Sequence, residues 1–165
     1  MSVNTAKVDA RRKLNYQSFD ELLADADRLS SGNLKTLGNW SPGQIFQHLA
    51  NAFNGSIDGF PDCFPWFIRT MGRIFKKKLI GGPMPAGFKM PDKLAKAVMP
   101  EPTSTEVGLA NLHAAVSRLM QEPRRAAHPV FGQITNEEWN SMHLKHASLH
   151  MSFLTIEEVR TPQPS

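Results

Sequence analysis

Thr135-Asn136-Glu137-Glu138-Trp139-Asn140-Ser141-Met142-His143-Leu144-Lys145-His146-Ala147-Ser148-Leu149-His150 decides both the fold and the candidate chemistry of this chain. Thr135 with Glu138 three residues on is a capping box, the signature of a helix start. The residues that follow favour helix, with Trp139, Met142, His146, Leu149 and Phe153 on the face read as inward. On a helix, residues three and four apart share a face. His146 and His150 therefore stack one above the other, about 6 Å apart along the axis by helical rise. Two such imidazoles can share one divalent ion, as zinc sites built on an i, i+4 histidine pair do.

Working outward, three more segments open with a readable cap. Ser18 with Glu21 precedes Leu22, Leu23, Ala26 and Leu29, and the helix ends near Gly32. Ser41 with Gln44 precedes Ile45, His48, Leu49, Ala52 and Phe53, running toward Ile57, with Pro42 at the first helical position where its missing N–H costs nothing. Thr103 with Glu106 precedes Leu109, Leu112, Val116 and Leu119, and Pro123 lies just past the end. No alternating strand pattern and no internal repeat stands out. Four amphipathic helices with one long crossover read as a four-helix bundle, whose core is where facing helices assemble metal sites.

The crossover, about residues 60–102, is a long insertion. Its aromatic and basic part, Phe64 to Ile80, reads as helix despite the helix-weakening Gly72. A Gly/Pro-rich stretch, Gly81 to Gly87, leads to a short expected helix over Asp92 to Met99, and Met84, Phe88 and Met90 are placed to fold over an open end. Phe60, Phe64, Trp66 and Phe67 beside Arg69, Arg73 and Lys76–Lys78 have several readings. They suit a lid, an anion-attracting rim, a dimer surface, a membrane contact, or a packed cover with its lysines in water.

His48 is the candidate third ligand, because it shares a helical face with Ile45, Leu49 and Ala52. Burying three unpaired imidazoles is costly, and convergence on one divalent ion removes that cost. His143 and His146 could also pinch an ion, whereas His143 and His150 lie about 10 Å apart along the axis and are poor partners. His146 with His150 is the preferred pair, leaving His143, one turn nearer the helix start, at the rim or as a support behind the ligands. His113 reads as a surface or packing residue, and His128 as a loop residue. No carboxylate holds a catalytic position: the H-E-x-x-H arrangement of metalloproteases is absent, and Asp58 and Glu138 read as a solvated helix residue and a cap.

The 165 residues suit one domain, 1–165, with a core of about 11–156. A hydrophobic fraction of 41% with 21% charge is that of a globular chain. The net charge of +4 is local: Arg11–Lys13, Arg69–Lys78 and Arg124–Arg125 hold ten of the 19 cationic residues. Such clusters usually form solvated faces, so no nucleic-acid partner is expected. Cys63 is alone, which excludes an internal disulfide, thiolate–zinc ligation and a CxxC redox pair, and points to the cytoplasm. Met1 to Lys13 lacks the apolar region of a signal peptide, and no stretch is long and apolar enough to span a bilayer. Self-association, if any, is expected as a homodimer.

Gly38-Asn-Trp-Ser-Pro-Gly-Gln-Ile-Phe-Gln-His48-Leu resembles the second-helix signature of the DinB/YfiT-like superfamily, and Trp139 followed by His146-x-x-x-His150 resembles its C-terminal metal helix. Met84-Pro-Ala-Gly-Phe-Lys89 and His128-Pro-Val-Phe-Gly132 are similar to an uncharacterised bacterial branch, a domain of unknown function. The resemblance implies an up-down-down-up four-helix bundle with a divalent ion, zinc or nickel, on His48, His146 and His150. It also implies metal-dependent transfer of a low-molecular-weight thiol, or isomerisation with glutathione or mycothiol. With three histidines leaving a position open for water or a thiol, the expected function is a metal-dependent hydrolase or thiol S-transferase acting on a small-molecule substrate. The alternative is a non-catalytic stress-response or interaction module with a structural metal site. The long insertion departs from the shorter relatives.

Overall fold

A computed structural model describes residues 3–61, 64–82, 84 and 99–157. Within these the chain is mostly helical: α1 (Phe19–Ser30), α2 (Pro42–Asp58), α3 (Trp66–Ile74), α4 (Lys76–Gly81), α5 (Thr105–Gln121) and α6 (Asn136–Met151), with two short strands, β1 (Leu34–Thr36) and β2 (Leu154–Ile156). The all-helical class expected from the caps is therefore correct at that level. The short helix expected over Asp92 to Met99, and the folding-over of Phe88 and Met90, lie outside the described residues, as does Cys63.

The caps begin the helices as expected, with one correction. Ser18 accepts from the Glu21 amide, and Ser41–Gln44 and Thr135–Glu138 are complete capping boxes. Each cap satisfies an amide that the helix leaves orphaned, worth about 1 kcal/mol. In α5 the cap is Ser104, not Thr103: the Ser104 hydroxyl accepts from the Val107 amide, while the Thr103 hydroxyl donates to the Glu101 carbonyl.

α1, α2, α5 and α6 pack around one apolar core that includes Leu22, Leu29, Phe46, Leu49, Phe53, Leu112, Leu119 and Met151. α2 and α5 approach most closely where Gly43 meets the start of α5. A Cβ on Gly43 would sit 2.2 Å from the Thr103 carbonyl oxygen, and one on Gly108 would sit 2.4 Å from that of Gly43. Glycine at both positions lets the two backbones touch.

The strands are a further correction, since no strand was expected. β1 and β2 pair antiparallel, Leu34 opposite Ile156 and Thr36 opposite Leu154. Three residues each are too few for a period-2 pattern to register. The ribbon joins the chain leaving α1 to the chain leaving α6. Arg12 reinforces this end: it forms a bidentate pair with Asp25 at 2.8 and 2.9 Å and donates to the carbonyls of Met151 and Leu154. Burial pushes the Asp25 carboxyl upward, but hydrogen bonds from Arg12, Tyr16 and Arg28 outweigh it and bring it down to about 2.

The helix expected from Phe64 to Ile80 is two helices, interrupted at Phe75, whose φ of −95° and ψ of 13° leave the helical range. Gly72 is the buried residue of α3, and a Cβ there would come within 2.4 Å of Val130 Cγ1. It serves close approach to the loop before α6 rather than weakening the helix.

Candidate metal centre

His48 sits in the middle of α2, held there by a capping box that fixes where the helix begins. His146 and His150 project from α6 one turn apart. Across the α2–α6 contact the three rings meet: centroids lie 4.6 Å apart for His48–His150 and His146–His150, and 5.0 Å for His48–His146. The His48 and His146 Nε2 atoms are 3.1 Å apart, and one nitrogen from each of the three residues lies within 4.8 Å of the others. The three residues singled out in the sequence are thus brought together.

This donor set fits a divalent ion. Zinc–imidazole bonds of about 2.0–2.1 Å in a tetrahedral arrangement place neighbouring nitrogens about 3.3 Å apart. The His48–His146 spacing of 3.1 Å is close to that value, and all three nitrogens lie within 4.8 Å of one another. The ligating form must be neutral imidazole, and the surroundings favour it. Burial lowers His146 well below the ordinary histidine value, with His150 and His48 adding repulsion against a proton. Burial, followed by the effect of His48, lowers His150 to about 3.

Trp40, just before the α2 cap, closes one side of the cluster. Its ring stacks on His150, centroids 5.4 Å apart and planes 7° from parallel, and leans on His48 at 4.7 Å. In the sequence Trp40 stands only as part of a motif. An aromatic residue directly ahead of a capping box, shortly before an inward histidine, is the signal that could have placed it at the site.

His143 is not at the rim. The buried stripe of α6 is Trp139, His143, Ala147 and Met151, four apart, so His143 lies on the innermost line and His146 and His150 flank it toward α2. Met142, expected inward, is half-buried beside that stripe. His143 stacks on Trp139 at 5.2 Å and meets the edge of Phe53 at 4.7 Å. Burial, with Arg125 and His128 adding to it, lowers His143 to about 3. Among the described residues its Nε2 has no hydrogen-bond partner.

The remaining candidates are structural. His128 Nδ1 accepts from the Val130 and Phe131 amides, both at 3.1 Å, which leaves the proton on Nε2. Its ring lies between Phe131 and Trp139, and burial lowers it to about 4. His113 is an exposed residue paired with Asp27 at 2.8 Å. Asp58 pairs with Arg118, and Glu138 completes its capping box while accepting from Lys76. Among the described residues no carboxylate joins the three histidines.

Helical architecture and cluster together define an all-helical protein with a three-histidine candidate metal site. The chain belongs to the family described as Protein of unknown function (DUF1569), whose profile matches residues 8–157. No curated protein and no solved structure matches the chain.

Proposed function

We propose that this protein binds a divalent metal ion, zinc or nickel, through His48, His146 and His150, and is a metal-dependent hydrolase or thiol S-transferase acting on a small molecule. The observation that carries the proposal is the convergence of three imidazole nitrogens from two helices within 4.8 Å. Imidazole suits both metals. Resemblance to the DinB/YfiT-like superfamily supports the same reading, including its up-down-down-up four-helix bundle.

A divalent ion held by His48, His146 and His150 would supply Lewis acidity, which would make a nucleophile available from water or a thiol near neutral pH. The chain's own contributions are separate. His48, His146 and His150 offer imidazole donors, and α2 and α6 fix their spacing. Trp40 covers the His48 and His150 rings on one side.

The second reading is an interaction module in which a structural ion only ties α2 to α6. Metal analysis of protein purified without a nickel column, then assays of thiol transfer and ester hydrolysis with and without chelator, separate the readings. The enzyme requires chelator-sensitive turnover that metal restores. A metal-loaded protein inert with every common cellular thiol and with activated esters contradicts it and leaves the module.

A further inference from the structure

The insertion carries a surface that the metal centre does not use. α3 rests on the body of the protein through Gly72, packed against Val130. At about 100° per residue, the arc facing away from that seam holds Trp66, Phe67, Met71 and Ile74. Their exposures are 77%, 52%, 51% and 67%. Large apolar side chains in this density on a water-facing surface mark a contact site. Phe75 and Leu79 extend the arc onto α4, at 46% and 54%.

Along this segment of the chain the charge has one sign. From Phe64 to Gly82 the chain has five cations, Arg69, Arg73 and Lys76–Lys78, and no acid. Lys76 reaches Glu138 at 3.1 Å, whereas Lys77 and Lys78 are exposed at the edge of the apolar arc. The unit is anchored to α6 as well, because Lys145 Nζ donates to the Ile80 and Gly82 carbonyls at 2.6 and 3.3 Å.

We propose that α3 and α4 form a docking surface for an anionic phospholipid bilayer. Trp66, Phe67, Met71 and Ile74 enter the boundary between headgroups and acyl chains, and Lys77 and Lys78 meet the lipid phosphates. Apolar arc, flanking cations and tryptophan are the chemistry that holds a helix in the interface plane. A second copy is a poorer occupant, because apposing two such arcs brings two sets of five cations together. No helix among the described residues is long and apolar enough to cross a membrane, so contact through this surface is peripheral.

Vesicle co-sedimentation of the full chain tests this, using phosphatidylcholine alone and phosphatidylcholine mixed with phosphatidylserine. The protein is expected to sediment with the mixed vesicles, to be released by high salt, and to show a blue shift in tryptophan emission that Trp66→Phe removes. Trp66→Ser/Ile74→Ser should abolish sedimentation, and Lys77→Gln/Lys78→Gln should weaken it about fivefold per charge. These side chains are exposed, so melting and metal content should match the parent protein in all three variants. Sedimentation with neither vesicle, or sedimentation unaffected by Trp66→Ser/Ile74→Ser, overturns the proposal. So does a lipid-free dimer that Trp66→Ser/Ile74→Ser dissolves, which assigns the surface to a second copy. Because the readout is binding of lipid by protein with or without metal, its failure leaves the metal reading untouched.

Discussion

Helix α6 carries histidines in two different settings. His146 and His150 aim nitrogen atoms at a third imidazole across the α2–α6 contact. One turn earlier, His143 presents its ring to the faces and edges of Trp139 and Phe53, and among the described residues its Nε2 has no partner. Both groups are pushed toward the neutral form by burial. Neutrality therefore does not distinguish a ligand from a packing residue. What distinguishes them is whether the opposing helix offers another donor or a hydrocarbon surface.

The largest effect should separate the groups outright. His146→Ala, or His48→Ala, is expected to weaken binding of zinc by more than about a hundredfold, beyond what loss of a supporting residue around a metal costs. Titration against a competing chelator measures it. Affinity retained within about threefold would break the distinction, because it would place the ion elsewhere.

Next is the contact that sets where α2, and so His48, lies. Gly43→Ala drives a methyl group into the Thr103 and Ser104 carbonyls, at 2.2 and 2.4 Å before relaxation. Unfolding in urea should show a loss of about 2–3 kcal/mol. Zinc affinity should fall with it, since α2 must shift to make room.

Acid titration sharpens the comparison from the other side. His128 and His143 are lowered to about 4 and about 3 in the folded protein, against 6.5 for an ordinary histidine. Between those values and 6.5 the unfolded chain binds protons that the folded chain refuses. Stability of the metal-free protein must therefore fall as pH drops below about 6.5, each residue contributing up to about 1.4 kcal/mol per pH unit. His128 ceases to contribute near pH 4 and His143 near pH 3. His143→Leu should reduce the slope of stability against pH by one proton, read from urea midpoints across the range.

The same variant at neutral pH should matter little. The leucine side chain gives up the stack on Trp139 but relieves a buried nitrogen without a partner, so stability should stay within about 1 kcal/mol and zinc affinity should not move. Smallest of all, Asp27→Asn breaks only the exposed pair with His113 and should shift stability by less than about 0.5 kcal/mol.

Much of the fold was legible because helix starts are written locally. A cap residue and an acid or amide three positions on fix the beginning of a helix, as at Ser18, Ser41 and Thr135. The site was legible for a related reason, since His146 and His150 on one turn and His48 among apolar neighbours need only helical geometry to be paired. What stayed hidden depended on tertiary contact. The inward line of α6 could not be phased, because histidines occupy positions where other helices place leucine, and His143 was consequently set at the rim. The β1–β2 ribbon joins distant parts of the chain through three-residue strands with no pattern of their own. Gly72 read as a weakness until Val130 was seen against it. In α3 the helix is legible but the direction of its aromatic residues is not, as sequence alone does not say whether they face protein or solvent.

X-ray absorption at the metal edge of the zinc-loaded chain tests the central claim most directly. Three imidazole nitrogens at about 2.0–2.1 Å are expected in the parent protein and in His143→Leu, and fewer in His48→Ala. A shell of oxygen atoms alone, or a spectrum that His48→Ala leaves unchanged, would contradict a shared site on α2 and α6.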